Sequence, residues 1–243
     1  MDDNRSDAAL SSAGRSRTNA KKRIVRALED LNPRDRVIRD VLHGLYEGRL
    51  EPGQRLIEAQ LTEDYGISRG PVREALNRLA VMGVVDLTPQ RGAHVHNLSL
   101  EEAIDSLVVA QGLVGISARL AAERHFPSGL QRLQAAVADI KRFDQTSTTA
   151  EYAIARNAFY AALAGLASNI ALSRAMAHIH IHLIRVQFRA VLRPVDERRH
   201  TDYAEIAQAV AAGKPQQAEK AGRVHINRSI VALEAFRSRK ASA

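Results

Sequence analysis

The sequence predicts a mainly α protein with two parts, and three observations support this. Before residue 98, three short helical periods are followed by two short segments rich in β-branched residues. After residue 97, long Ala- and Leu-rich amphipathic runs follow one another, and no segment is typical of a strand. We therefore expect a small N-terminal domain over 32–97, an all-helical domain over 98–240, and a flexible basic tail over 1–31.

The composition excludes several classes of protein. It is 45% hydrophobic and 26% charged with no cysteine, so a mainly disordered chain, disulfides, thiolate metal sites and cysteine nucleophiles are excluded. No charge-free stretch reaches the roughly 20 apolar residues that a membrane-spanning helix needs, and the N-terminus lacks an apolar leader core. We expect a soluble, cytoplasmic protein without a membrane partner.

The net charge of +8 favours an anionic partner but does not locate its site. Residues 27–98 hold slightly more acidic than basic groups. A nucleic-acid site must therefore be argued from a local arrangement of side chains.

The N-terminal domain begins with a helix of about four turns from Asn32-Pro33 to Gly48. After a Gly/Pro break, a second helical segment runs from Ile57 to Tyr65, and a third continues beyond Gly66 to Gly83. The apolar spacing of three and four that predicts the first and third helices comes from Val37, Ile38, Val41, Leu42, Leu45, Val72, Leu76 and Leu79.

Two short segments, 84–87 and 93–96, flank a turn that contains proline and glycine. Their β-branched residues predict a two-stranded wing. The first part of the chain is therefore predicted to be a winged helix-turn-helix with a two-stranded wing.

The second part is predicted to be an all-helical bundle of about six helices. Ser99 with Glu102 and Thr148 with Glu151 both fit a capping box, which marks a helix start. The expected breaks between helices lie near Pro127, 145–149, 168–169, 193–194 and 213–215.

The helix after Gly66 carries the most informative motif. Ser68 can accept the free amides of the helix N-terminus, and Pro71 is tolerated in the first turn. Opposite the apolar stripe, Arg69, Arg73 and Asn77 recur at a spacing of four and form a narrow polar face.

Such a face fits the second helix of a helix-turn-helix, which enters the major groove of DNA. Arginine offers two parallel donors to guanine there, and Arg91-Gly92 at the wing tip would lie near phosphates or the minor groove. The alternative is that Arg69 and Arg73 are solvated residues of an ordinary surface helix. The turn, the apolar stripe and the wing, all in register, favour DNA binding.

Residues 49–95 resemble the winged helix-turn-helix of GntR-family bacterial transcription regulators. This resemblance implies that Ser68, Arg69, Gly70 and Arg73 face bases and phosphates, and that Arg91 and Gly92 form the wing contact. The residues that carry it are Gly48, Arg49, Leu50, Pro52, Gly53, Leu56, Glu58, Leu61, Tyr65 to Arg69, Pro71 to Leu76, Leu79, Gly83 to Val85, Arg91 to Ala93 and Val95.

The helical remainder is similar to the effector domain of the FadR subgroup, called FCD. The similarity lies in Arg119 to Arg124, Phe159, Leu163, Ser168-Asn169, Ile206, Ala209, Gly213, Arg223 and His225-Ile226. In many FCD relatives an Asp and three His hold a metal, and the resemblance puts those positions at Arg156, Tyr160, Tyr203 and His225. Arginine cannot coordinate a cation and neutral tyrosine is a poor ligand, so we predict no metal and no other cofactor.

These four residues could instead present a cation and hydrogen-bond donors to an anionic effector. The alternative is that the bundle has lost effector binding and that the tyrosines are satisfied core groups. A second histidine group, His178, His180 and His182, has metal-compatible spacing but no further ligands in the sequence. A solvated or dimer-facing stripe, continued by Arg185 and Arg189, explains it better.

The sequence therefore predicts a regulator that is not an enzyme: a homodimer that binds a double-stranded DNA operator and responds to a small carboxylate or acyl effector. Dimerisation is expected because one recognition helix spans too few base pairs for useful specificity. The alternatives are a DNA-binding dimer whose degenerate bundle binds no effector, and a helical enzyme with an attached DNA-binding module. No nucleophile elbow, phosphate loop or zinc-peptidase motif supports the enzyme.

Overall fold

The computed structural model describes residues 32–124, 126–143, 149–177, 179, 181–192 and 197–242. The tail predicted over 1–31 lies outside these residues. Within them the architecture is the predicted one, a small mixed N-terminal domain followed by a helical bundle.

The N-terminal domain contains three helices and a small sheet. In chain order these are α1 (Pro33–Glu47), β1 (Arg55–Leu56), α2 (Glu58–Tyr65), α3 (Arg69–Val81), β2 (Val85–Thr88) and β3 (Gly92–Val95). The predicted helix boundaries follow from local chemistry: the Asn32 side chain accepts from the amide of Arg34, and Gly48 and Gly66 end α1 and α2 in the left-handed conformation that glycine adopts without strain.

The sheet has three antiparallel strands in the order β1-β3-β2, whereas the sequence predicted two. The third strand, β1, pairs Arg55 with His94 and Leu56 with Ala93. Two residues are too short to show the alternation that reveals a strand, so only tertiary pairing identifies β1. Leu56 is buried beneath the wing that this pairing anchors.

The second domain contains α4 (Leu100–Arg124), α5 (Pro127–Lys141), α6 (Thr149–Ala167), α7 (Ile170–Ala177), α8 (Ile181–Gln187), α9 (Glu197–Ala211) and α10 (Pro215–Ala241). The capping box at the start of α4 is confirmed, because Ser99 and Glu102 exchange backbone-to-side-chain hydrogen bonds of 2.8 and 3.1 Å. Thr148, the first residue of the other predicted box, lies outside the described residues.

The described part of the bundle contains seven helices rather than about six. The helix predicted between Asn169 and Arg193 is divided into α7 and α8. In the sequence, the apolar residues of this segment fell on two different helix faces. The two short helices explain this pattern, because each buries apolar residues of its own: Leu172 in α7, and Leu183 and Ile184 in α8.

Helix α4 packs antiparallel along α10 at the centre of the bundle. A side chain at Gly222 would meet the backbone carbonyl of Val114 at 3.1 Å, so two glycines, Gly115 and Gly222, permit the close crossing. Among the helices that the structure describes, α4 has the length and composition to cross a membrane. In the bundle, however, its apolar face is buried against α10 and α6, as in the core helix of a soluble protein.

The two domains share a packed junction. Ala153 of α6 and Val186 of α8 lie within the apolar core of the N-terminal domain. Gln187 accepts a hydrogen bond of 3.0 Å from the amide of Leu98 and donates one of 3.0 Å to the Asn97 side chain. The chain thus passes between the domains through a fixed, hydrogen-bonded segment.

Candidate functional site

Helix α3 presents the predicted polar face to solvent. Its other face buries Val72, Ala75, Leu76 and Leu79 in the domain core. All five predicted DNA-reading positions on this segment are exposed: Ser68, Arg69, Gly70, Arg73 and Asn77. The space around Gly70 is open, since a Cβ there would meet no other atom within 4 Å.

Ser68 occupies the N-cap position of α3 in an extended conformation, but its side chain makes no capping hydrogen bond. The expectation that its hydroxyl accepts the free amides is therefore wrong. Pro71 in the first turn already removes one of those donors, and the others face solvent. The Ser68 hydroxyl and the N-terminal amides of α3 remain available to an external acceptor such as a phosphate.

Arg73 is held by a neighbour that the sequence analysis did not single out as its partner. Its Nε lies 2.9 Å from Oε2 of Glu58, the first residue of α2, and its side chain is 65% exposed. This contact uses one edge of the guanidinium and restricts the side chain, while the terminal nitrogens keep their donors. Arg73 is thereby directed outward from α3.

The backbone at the wing tip adopts positive φ angles, which favour glycine. Gln90 and Gly92 both have positive φ, 69° and 84°, on either side of Arg91. Glycine adopts this conformation without strain, and the side chain of Arg55 lies 3.9 Å from where a Cβ of Gly92 would stand. Arg91 and Gly92 are exposed, at the tip of the hairpin between β2 and β3.

The four residues predicted to bind an effector lie together inside the bundle. Tyr160 of α6 and His225 of α10 are joined by a hydrogen bond of 2.8 Å between the hydroxyl and Nε2. The rings of Tyr203 and His225 are 4.5 Å apart between centroids, and Phe159 packs edge-on against Tyr203. Burial raises the pKa of Tyr160, so its hydroxyl keeps its proton and can donate it to the imidazole.

Asp202 completes this cluster, although the sequence analysis missed it. Its buried carboxylate lies 3.3 Å from Nδ1 of His225 and 3.0 Å from Nε of Arg228. Burial opposes the charge of Asp202, but the hydrogen bond and charge of His225 and the charge of Arg228 outweigh it and lower the pKa of the carboxyl. Since a carboxylate only accepts, Nδ1 of His225 donates to Asp202 in either charge state of the ring, and in the neutral ring Nε2 accepts from Tyr160.

Arg156 of α6 is buried beside a second arginine, Arg185 of α8. Their relative exposures are 4% and 7%. The prediction that Arg185 belongs to a solvated or dimer-facing stripe is wrong, because α8 lies between the bundle and the N-terminal domain and turns this residue inward. Burial and the charge of Arg185 lower the pKa of Arg156.

The cluster does not fit the metal site that the family resemblance implies. Arg156 bears the wrong charge, Tyr160 already donates to His225, and the described residues contain no group of three or more His, Cys, Asp or Glu that could hold a metal. Of the second histidine group, His178 and His180 lie outside the described residues, as does the side chain of His182.

The sequence contained indirect signals for two of the missed residues, Asp202 and Arg228. Asp202 directly precedes Tyr203, and Arg228 follows His225 by three residues on α10. A carboxylate directly before Tyr203 and an arginine one helical turn after His225 could have suggested a polar network. The burial of Arg185 could not be predicted, because the pattern of one helix face shows where a charged residue lies but not which other element packs against it.

Comparison with protein families gives two matches along the chain. The family described as bacterial regulatory proteins, gntR family, matches residues 33–95, and the FCD domain matches residues 105–228. The two matches correspond to the small winged domain and to the helical bundle.

Individual proteins resemble the chain over most of its length. A probable D-xylose utilization operon transcriptional repressor of Paenarthrobacter nicotinovorans is 25% identical over 206 residues, which cover 84% of this chain and 88% of the relative. The regulator LutR of Bacillus subtilis is 29% identical over 201 residues, which cover 74% and 91%. The solved structure of McbR/YncC of E. coli has the same fold, with a TM-score of 0.70 at 20% identity, covering 85% and 99% of the two chains.

Proposed function

The chain belongs to the gntR family of bacterial regulatory proteins with an FCD domain, and we propose that it acts as a homodimer on a two-fold operator under the control of a small carboxylate or acyl compound. The general function is that of a transcriptional regulator with a DNA-binding helix-turn-helix and an effector-binding domain. We further propose that it works by binding alone, without catalysis, in the cytoplasm.

The observation that carries the DNA-reading proposal is the exposed first turn of α3. Arg69 and Arg73 stand one turn apart on the face opposite the buried stripe, with Asn77 one turn further. In this arrangement α3 enters the major groove, the arginines offer paired donors to guanine O6 and N7, and Ser68 and Gly70 approach the backbone. Arg91 and Gly92 extend the contact to phosphates or the minor groove.

The homodimer is supported by an exposed apolar surface on the central helix pair. Val108 and Val109 of α4 and Val231 of α10 are each more than half exposed. The hydrogen bond between Gln111 and Asn227, 3.0 Å long, brings the two helices into antiparallel register, so these valines lie at one level of the bundle. A two-fold contact there would bury them and pair two recognition helices.

The effector proposal rests on the buried cluster of Arg156, Tyr160, Tyr203 and His225. A guanidinium and hydroxyl donors can bind a carboxylate in place of a metal. The two winged domains of a dimer can adopt an arrangement that fits DNA and one that does not. Such a ligand changes operator affinity only if it binds these two arrangements with different affinities.

The DNA-binding proposal is tested by selecting binding sites from a random DNA library with the purified full-length protein. We expect a pseudo-palindromic sequence with two half-sites about one helical turn apart. The preference for guanine at one or more positions of each half-site should be lost in Arg69→Ala. Arg132→Ala, an exposed change on α5, is the control. Selection of no sequence, or an unchanged logo in Arg69→Ala, would contradict the proposal.

The effector proposal is tested by thermal unfolding in the presence of short carboxylic acids, sugar acids, amino acids and acyl-CoA compounds. A bound effector raises the melting temperature by mass action, and Tyr203→Phe should weaken that response. If no compound stabilises the protein, the alternative reading holds, in which the bundle only dimerises. A turnover screen on the same compounds should find no product.

A further inference from the structure

Two buried arginines lie side by side at the junction of the domains. Arg156 and Arg185 come from α6 and α8, and neither takes part in an ion pair formed by the residues that the structure describes. Nε of each arginine has no hydrogen-bond partner there either. Arg185 contacts two neutral hydroxyls instead, that of Ser229 at 3.4 Å and that of Tyr160.

This arrangement is costly unless a negative charge from outside the described residues compensates it. An arginine does not lose its proton under ordinary conditions, so both charges persist inside the protein. Two buried like charges repel one another, and neither recovers its hydration from neutral neighbours. Tyr160 offers only a protonated phenol, because burial raises its pKa well above the usual range.

The two guanidinium groups line a small cavity at the junction of the domains. Its volume is about 20 Å³, and its remaining walls are Tyr46 of α1, Tyr152 and Ala153 of α6, and Val186, Arg189 and Leu192. About 10 to 15 Å³ is enough for one water molecule, so the cavity admits a single small group and no larger compound. All three charged walls are arginines, so the cavity favours an anion.

Tyr46 makes this cavity a contact between the domains. It lies in the last turn of α1, in the winged domain, and its hydroxyl accepts a hydrogen bond of 3.4 Å from the side chain of Asn157 in α6. The guanidinium of Arg189 packs against Gly48, the residue that ends α1, and would have to shift to admit a Cβ there. An anion in the cavity therefore touches both the bundle and the end of α1.

We propose that Arg156 and Arg185 form a site for one small monovalent anion, a halide ion or the carboxylate group of a short acid, at the junction between the winged domain and the bundle. The inference rests on the proposed effector function to the extent that Arg156 belongs to both sites. It differs in placing the negative charge beside Tyr46 rather than beside His225, whose nitrogens already have partners in Asp202 and Tyr160.

The test is thermal unfolding of the full-length protein without DNA, with sodium chloride, acetate or phosphate replacing sodium HEPES at constant ionic strength. HEPES is too bulky for the cavity. We expect chloride, acetate or both to raise the melting temperature by roughly 5 to 10 °C at a hundredfold excess over the dissociation constant. Chloride identifies a free inorganic ion as the occupant, whereas acetate alone identifies a carboxylate group.

Two variants and a matched control make the assignment. Arg156→Met and Arg185→Met should lose the response, while Arg132→Met, at an exposed position on α5, should keep it. In HEPES alone each buried variant should melt at the same or a higher temperature than the wild type, because an uncompensated buried charge has gone. Both variants keeping the full response, or stabilisation by phosphate alone, would overturn the proposal.

A second measurement does not depend on any variant folding. The wild-type protein should broaden the chloride-35 nuclear magnetic resonance line, and acetate should reverse the broadening by competition. No broadening together with no anion-dependent melting shift would overturn the site. Failure of the effector proposal would give a different result. Operator selection and the chloride response would persist, and Tyr203→Phe would not alter the response to any acid in the screen.

Discussion

The two domains use arginine in opposite ways. Arg73 on α3 is 65% exposed and leans on the surface carboxylate of Glu58, whereas Arg156 in α6 is 4% exposed beside another arginine. Water supplies most of the stabilisation of the first charge, and the second needs compensation from its immediate surroundings. An exposed arginine can bind an external partner such as DNA, whereas a buried arginine restricts the ligands of its cavity to groups that compensate its charge.

Loss of a buried carboxylate should cost more stability than loss of an exposed one. Asp202→Asn removes the charge that pairs with His225 and Arg228, and we expect the free energy of unfolding to fall by ~3–5 kcal/mol. Glu58→Gln, which removes the exposed partner of Arg73, should cost no more than ~1 kcal/mol. Urea unfolding followed by circular dichroism measures both.

Glu205→Gln, an exposed change on the same helix as Asp202, is the control and should leave the urea midpoint unchanged. Equal losses in the Asp202 and Glu58 variants would show that burial does not distinguish the two carboxylates.

The stabilising contribution of the buried Asp202 carboxylate should depend on pH. Because the folded-state pKa of Asp202 is lowered, its stabilising contribution is complete above the unfolded value of about 3.9 and disappears as the pH falls through the folded value. The stability difference between wild type and Asp202→Asn should therefore stay constant from pH 7 to pH 5 and shrink below pH 4. A difference that does not vary down to pH 2.5 would contradict the lowered pKa.

On the exposed side, Arg73→Ala should weaken operator binding by ~1–3 kcal/mol, about 5- to 150-fold, and relax base preference in each half-site. The melting temperature should not change, because the pair with Glu58 is exposed. Fluorescence anisotropy at fixed salt measures the affinity. Arg78→Ala, in the last turn of the same helix, is the control and should bind like the wild type. A full effect in Arg78 and none in Arg73 would reverse the orientation of α3 in the groove.

The smallest effect is expected at the wing. Arg91→Ala should reduce affinity by a few-fold, about equally for all sequences, and lower the slope of log affinity against log salt by about 1. A salt titration with specific and scrambled DNA gives both values. Loss of preference for particular bases in Arg91→Ala would instead assign this arginine to base recognition.

The winged domain could be predicted almost completely, because its signals are local. Apolar spacing, Gly48 and Gly66 place its helices, and α3 displays its arginines wherever its apolar stripe is buried. Strand β1 escaped prediction because two residues carry no periodicity, and it exists only through pairing with β3.

The bundle site could be predicted in part. Its four polar positions came from the resemblance, and the structure brings Tyr160, Tyr203 and His225 into contact. Asp202, which shares α9 with Tyr203, and Arg185 of α8 join them through packing that no single-helix pattern encodes. Their roles in binding stay predictions until the variants above are measured.

The junction has a consequence for exchanging parts between related regulators. Ala153 and Val186 belong to the bundle in sequence but complete the apolar core of the winged domain. A hybrid protein that joins this head to a foreign bundle at residue 98 would leave a gap where those two side chains pack. Grafts should therefore carry the facing surfaces of α6 and α8 together with the head.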